Sequence, residues 1–273
     1  MRWRPRRRRL ILITGAAGFL GRHLTDASEE GGWELLAPSS TVLDIRSEAR
    51  VHDEISTWKP NVVVHLAYRK GDRRNIVEGS RHVANAAAAA GSRLIHVSTD
   101  VVFAGRPQPY TEADQPDPII EYGRDKADAE AAVVRAHAGA LILRPSLIYG
   151  TDRLGPCQID VERALNGTAH TAFFTDEWRC PVHAADVAAA ITALADRPEL
   201  TGPLHVAGPQ AISRADFARR IAEHLQLDPT RVPTASIADS GHTRPGVVLL
   251  DSSRAVALGL RMRSIDEAFS RST

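Results

Sequence analysis

Cysteine occurs only twice in 273 residues, as Cys157 and Cys180 in unrelated surroundings, which excludes a disulfide framework and a CxxC metal site. A reducing cytoplasm suits that usage. The eleven histidines show neither HExxH nor another paired-ligand spacing, so no metal is expected. No apolar run approaches the ~20 residues of a membrane span. The apolar stretch at 10–13 is too short for the core of a secretory or twin-arginine leader, and a glycine turn interrupts it. Lysine is also scarce. Among 34 basic residues only Lys59, Lys70 and Lys126 are lysines, so a lysine in a patterned position carries more weight than usual.

Net charge is +1, unevenly spread. Arg2, Arg4, Arg6, Arg7, Arg8 and Arg9 crowd the start, and setting these six aside leaves 28 basic against 33 acidic residues, a body near −5 with no general attraction for nucleic acid. The tip, residues 1–9, reads as a solvated, disordered extension, with a nucleic-acid or membrane-surface arm as the other reading.

Apolar runs at 10–14, 33–37, 62–66, 93–98 and 141–144 read as strands, and 19–30, 46–58, 72–90 and 122–137 as the helices between them. Continuous apolar strands alternating with helices predict an α/β fold, a Rossmann-type doubly wound parallel sheet covered on both faces. Ligands of such sheets bind beyond the carboxyl ends of the strands. Residues 10–150 are expected to form a dinucleotide-binding core. After 150 the alternation loosens into helices at 184–195, 214–225 and 264–269 and a short strand at 204–207. Residues 151–273 are expected to build mostly a small substrate-binding lobe, with segments returning to the core and adding a strand or two to its sheet. Residues 246–251 read as a strand or extended segment over the mouth of the site.

Between the first strand and the first helix lies Thr14-Gly15-Ala16-Ala17-Gly18-Phe19-Leu20-Gly21. Gly15 permits a tight turn, Gly18 a close approach of backbone to a pyrophosphate, and Gly21 tight helix packing, while amides at the helix start meet phosphate charge. The first interval is one residue wider than in GxGxxG, but the strand–turn–helix setting makes NADPH or NADH the expected cofactor. The second strand ends Leu36-Ala37-Pro38-Ser39-Ser40 without the acid that would hold a ribose diol. Ser39, Ser40 and Arg22 suit a 2′-phosphate instead, which inclines the choice to NADPH.

Further on, Tyr122 and Lys126 stand four residues apart on one predicted helical face. A phenol near pKa ~10 is a poor proton shuttle until a cation lowers that value. Lys126 behind Tyr122 is expected to do so, and Thr99, at the carboxyl end of the fourth strand, offers a hydroxyl to orient a substrate oxygen.

These segments resemble the extended short-chain dehydrogenase/reductases, and among them the dTDP-4-dehydrorhamnose reductase branch. The resemblance runs from Leu10 to about Phe269. Besides the glycine turn it rests on Leu43-Asp44-Ile45, Pro60-Asn61-Val62-Val63-Val64-His65-Leu66-Ala67 and Val97-Ser98-Thr99-Asp100-Val101-Val102-Phe103. Further matches are Pro109-Tyr110-Thr111-Glu112, the YxxxK segment, Arg144-Pro145-Ser146 with Tyr149-Gly150, and Pro181-Val182-His183-Ala184-Ala185-Asp186-Val187. It implies Thr99, Tyr122 and Lys126 as the catalytic trio. The implied cofactor contacts are Gly15, Ala17, Gly18, Phe19, Leu20, Ser39, Leu66, Tyr122 and Lys126, with Asp44 and Ile45 beside the adenine and Ala67 near the nicotinamide-side ribose. Arg144, Pro145 and Ser146 would line the nicotinamide pocket. Sugar-nucleotide 4,6-dehydratases carry an acid or lysine after Thr-Asp, where this chain has Val101, so reduction is expected rather than elimination.

The expected activity is therefore NAD(P)H-dependent reduction of a ketone, the 4-keto group of a nucleotide-activated deoxysugar in first place, with Tyr122 as proton donor. Another ketone or sugar-nucleotide oxidoreductase or epimerase, and a non-catalytic dinucleotide-binding regulatory subunit, are the alternatives. The expected partner is a small molecule, with no nucleic acid or membrane; a homodimer is compatible with the chain. Tyr68-Arg69-Lys70, after the third strand, replaces the small residues common in the family and crowds or recharges the pocket. Arg179 is a candidate for a substrate phosphate, against a plain surface arginine. His183, before an apolar helix, reads as structural.

Overall fold

Each apolar run of the first 145 residues forms one strand of a single parallel sheet. In chain order these are β1 (Leu10–Thr14), β2 (Glu34–Leu36), β3 (Val62–His65), β4 (Arg93–Val97) and β5 (Leu141–Pro145). Helices α1 (Phe19–Glu30), α2 (Glu48–Trp58), α3 (Gly79–Ala89) and α4 (Glu121–Ala136) connect them. Beyond β5 follow α5 (Pro156–Leu165), α6 (Ala184–Ala195), β6 (Gly202–Val206) and α7 (Arg214–His224). The computed structural model describes residues 9–270.

The strand order is β2-β1-β3-β4-β5-β6, every pair parallel. Alternation along each strand feeds two separate cores. Ile11, Ile13, Val62, Val64, Ile95, Leu141 and Leu143 face α6, whose Val187, Ile191 and Leu194 complete that layer. Leu12, Val63, Leu94 and Ile142 point the other way, into Val51 and Ile55 of α2 and Val83 and Ala87 of α3. A period-2 register with both sides apolar is what a doubly covered sheet requires. The chain reverses direction of travel across the sheet between β1 and β3, and the crevice beyond their carboxyl ends is the switch-point site.

The expected helix over 72–90 is not uniform: Arg74–Glu78 forms a wider π-type turn before regular α3, and the Asp72 carboxylate accepts the Asn75 N–H at 2.9 Å. The second half contributes one strand, β6, to the sheet. Elsewhere it folds on a third core, where Tyr149, Val161, Phe173, Phe217 and Ile221 meet Ile265 and Ala268. Pairs of two-residue strands tie this part together, such as Trp178–Arg179 with Ile212–Ser213. Residues 246–251 run extended, bridging Trp178 through Val247 and Tyr110 through Leu250. Both cysteines are free and buried.

Arginines 2 to 8 of the basic tip lie outside the described residues. Arg9 is anchored while its side chain stays partly exposed: it pairs with Asp196, donates to the Gly31 carbonyl at 3.1 Å and stacks 4.2 Å from the Trp33 ring centroid. No helix of the described residues is long and apolar enough to cross a membrane.

Candidate active site

The glycine turn sits where β1 meets the crevice. Gly15 has φ +77°, and a Cβ there would lie 2.8 Å from the Ala67 amide nitrogen, so the turn presses on the segment leaving β3. A Cβ on Gly21 would lie 2.6 Å from the Ala16 carbonyl oxygen. Gly18 caps α1 without a side chain, and the first turn of α1 holds no acid. The leading amides of α1 are therefore left to a ligand, and the cradle that side chains would fill fits a dinucleotide pyrophosphate. Ala17, Phe19 and Leu20 lie in or directly after this turn, Phe19 packing edge-on to His23 and under Gly155.

A buried polar chain that the sequence did not announce locks this corner. Thr14 Oγ1 and His65 Nδ1 are 2.7 Å apart, and His65 Nε2 is 3.1 Å from Ser80 Oγ. Ser80 spends its own proton on the Ile76 carbonyl at 2.6 Å. Nε2 must therefore carry the ring proton, and Nδ1 accepts from Thr14. The Ala67 amide donates to Thr14 Oγ1 at 3.3 Å. Burial, with Lys126 adding to it, pushes the His65 pKa down to about 3 and keeps the ring neutral.

Asp44, expected beside the adenine, is bound by Arg46, whose guanidinium lies 2.8 Å away and holds the carboxyl down at about pKa 2. Ile45 is buried against Gly79, and Ser39 Oγ lies 2.6 Å from Thr41 Oγ1 at the surface. Arg22 donates to the Ala17 carbonyl at 3.1 Å.

The start of α4 packs against the turn that follows β4. A Cβ on Gly123 would collide with the Val101 carbonyl, so glycine here lets α4 seat against this turn, with Asp100 facing Tyr122 and the Val97 carbonyl within reach of Lys126. Thr99 Oγ1 makes only long bonds, 3.3 Å to the Asp100 carboxylate and 3.4 Å from the Val101 amide. Lys126 is 4% exposed and donates to the Val97 carbonyl at 2.8 Å; burial lowers its pKa from 10.5 to about 8.

Tyr122 differs from expectation. Its pKa lies above the ordinary phenol value, first because it is buried, then because the Tyr68 hydroxyl and the Asp100 carboxylate face it. The cation expected to depress it is engaged at Val97, and the neighbour is Tyr68, whose ring centroid is 5.8 Å from that of Tyr122.

Two residues expected at the nicotinamide pocket are spent on the protein itself. Arg144 forms a buried ion pair with Glu130 at 2.7 Å, strutting β5 to α4. Ser146 donates to Asp100 at 2.7 Å and accepts from the Cys180 amide at 3.2 Å. Arg179 is buried as well: it donates to the Pro245 carbonyl at 2.8 Å and pairs with Glu177 at 3.1 Å and Asp100 at 3.6 Å, so it is not free for a substrate phosphate. Arg244 closes the network on Glu177 at 2.5 Å. His183 caps α6 through Nδ1, which accepts from the Ala185 amide at 3.2 Å. Leu66 flanks the crevice at the end of β3.

Fold and crevice together define a short-chain dehydrogenase/reductase with the NAD(P)-binding architecture of that class. More narrowly, the chain belongs to the RmlD substrate-binding-domain family, whose model matches residues 8–272. It is similar to a dTDP-4-dehydrorhamnose reductase of Bacillus anthracis crystallised with NADP, with TM-score 0.86 and 27% identity, covering 97% of this chain and 98% of that one. The dTDP-4-dehydrorhamnose reductase of Mycobacterium tuberculosis is 34% identical over 86% of this chain and 82% of its own. The methionine adenosyltransferase 2 subunit beta of Rattus norvegicus is 31% identical over 94% of this chain and 84% of its own.

Proposed function

We propose that this protein reduces the 4-keto group of a nucleotide-activated deoxysugar at the expense of NADPH, with Tyr122 as proton donor. The observation that carries the reading is the packing of the Tyr122–Lys126 turn of α4 against the Thr99–Val101 turn, beside strand ends where the glycine turn leaves an anion-sized cradle at the start of α1. The relatives named as dTDP-4-dehydrorhamnose reductases support the substrate class. The absence of an acid at the end of β2, with Ser39 there, supports the 2′-phosphorylated cofactor.

A reduced nicotinamide dinucleotide, which the glycine turn and Lys126 would hold, would supply the hydride for the ketone carbon. Tyr122 then gives its proton to the oxygen as negative charge grows there, which a phenol held protonated is suited to do. Thr99, whose own bonds are long and readily exchanged, donates to the same oxygen. Lys126, oriented by the Val97 carbonyl, holds a cofactor hydroxyl and stabilises the phenolate left behind. Val101 offers no acid or base for elimination.

A second reading, a regulatory subunit that binds the dinucleotide without turning it over, is favoured by the relatives named as subunit beta of methionine adenosyltransferase 2. NADPH oxidation measured against a panel of keto-sugar nucleotides and small ketones separates the two. Turnover that falls about 10²–10⁴-fold in Tyr122→Phe with cofactor binding retained is the expected result. Tight NADPH binding with no oxidation of any panel member rejects the reductase in favour of the subunit.

A further inference from the structure

The buried polar chain behind the glycine turn has a fixed direction, and that direction reaches the crevice. Its inner end is Ile76, in the π-type turn that Arg73 clasps to α4 through Asp125 at 2.7 Å and Asp128 at 2.6 Å. The Ile76 carbonyl has no proton to give, so its 2.6 Å contact takes the Ser80 hydroxyl proton. Ser80 Oγ is then left to accept from His65 Nε2, and His65 Nδ1 to accept from Thr14. With its own proton committed inward, Thr14 Oγ1 turns its lone pairs to the Ala67 amide, which donates at 3.3 Å. Thr14 and His65 are paired across β1 and β3, and Gly15, next in the chain, presses on Ala67. The outer end of the chain is therefore the seam between the two strand exits that flank the crevice.

We propose that His65 is a positioning residue for the dinucleotide: it fixes which way the Thr14 hydroxyl points, and so holds the Gly15 turn and Ala67 in the arrangement that receives the cofactor. The inference rests on the dinucleotide reading of this crevice. Reversing the ring would place its proton on Nδ1, facing Thr14. Thr14 Oγ1 would then receive two donors, His65 and the Ala67 amide, and its own proton would have no acceptor among the hydrogen bonds of the described residues. Thr14, His65 and Ser80 are each at most 3% exposed, so water offers no substitute. Burial also keeps the ring neutral, and a second proton would force the same clash at Nδ1. Without the ring, the Thr14 proton loses its acceptor, and the lone pairs facing Ala67 are no longer fixed.

Calorimetric NADP⁺ binding to a set of variants tests this. Thr14→Val removes the hydroxyl at nearly constant volume, and His65→Phe removes both ring nitrogens. Each is expected to weaken binding about tenfold, the scale of one buried group left without its partner. Because His65 acts through Thr14, His65→Phe should change affinity by less than about twofold in the Thr14→Val background. Thr14→Ser, which keeps the hydroxyl, should bind as the wild type does. The direct signature is the nitrogen NMR spectrum of the histidine rings, with His65 assigned by its loss in His65→Phe. The proton is expected on Nε2 in the wild type and partly on Nδ1 in Ser80→Ala. Ser80→Ala, a change on α3, repeats the cycle: its loss of affinity should also vanish with Thr14→Val, and this arm stands if His65→Phe does not fold. Equal losses in the Thr14 and Thr14→Val backgrounds, or an Nδ1 proton in the wild type, overturn the inference. No NADP⁺ binding by the wild type defeats the dinucleotide reading and the inference with it, whereas binding with equal losses defeats the role of His65 alone.

Discussion

Lys126 is nearly sealed from water, and its proton is correspondingly loose. Burial brings its pKa from 10.5 to about 8, so between those values the unfolded chain holds a proton that the folded chain has lost. The sign follows: the cost of burying the charged form is full below about pH 8 and disappears as pH rises towards 10.5. Function runs the opposite way, because the charge offered to a cofactor is lost as pH passes about 8. NADPH affinity is expected to fall by about tenfold between pH 7.5 and 9.5, equivalent to ~1.4 kcal/mol. Lys126→Met should be weak and flat over that range. Calorimetric titrations at fixed ionic strength check this, and a wild-type affinity constant to pH 9.5 refutes it. At the same scale, Arg144, Ser146 and Arg179 show how a residue with a plausible ligand role becomes structural once a buried acid lies within reach: Glu130 takes the first, and Asp100 the other two.

The glycine turn works as an element. Gly21 lies on α1, yet its missing side chain determines how close the Gly15–Ala16 carbonyls come to the helix. Gly21→Ala is expected to push α1 off the turn, costing about 1–3 kcal/mol and most of the cofactor binding. Thermal melting with and without NADPH should show a lowered Tm and a lost ligand-induced rise; an undiminished rise contradicts the geometry. The strands β1 and β3 to β5 and helices α1, α2, α4, α6 and α7 were legible in the sequence because each buries a continuous face, and β2 because it follows the glycine pair that ends α1. The Thr14–His65–Ser80 chain was not legible, since its members are 51 and 15 residues apart and meet only when β1, β3 and α3 are packed. Tyr68 was visible as an oversized residue after β3, but its contact with Tyr122 depends on how α4 is set against that exit. The two-residue strands of the second half are too short to have a period.

Over the whole molecule, buried neutral histidines set the acid limit. His65 is held at about pKa 3, His183 at about 4, and His96 well below its ordinary 6.5, each by burial first. Unfolding lets all three take up protons, so stability is full above about pH 6.5 and declines as pH falls towards the folded values. Each histidine steepens the decline by about 1.4 kcal/mol per pH unit. Urea unfolding at pH 7.5, 6 and 5 should show this loss, and His65→Asn should make it shallower; equal slopes in the two proteins contradict the assignment. The return of α6 and β6 to the nucleotide-binding sheet carries a consequence for biosynthesis. When the ribosome has released the first 150 residues, the face bearing Ile11, Ile13, Val62, Val64 and Ile95 still lacks Val187, Ile191 and Leu194, and β5 still has an open edge. The nascent nucleotide-binding half therefore stays unfinished until about residue 206 has emerged, and an mRNA truncated between these points yields a chain destined for chaperones or proteolysis rather than a free-standing dinucleotide-binding domain.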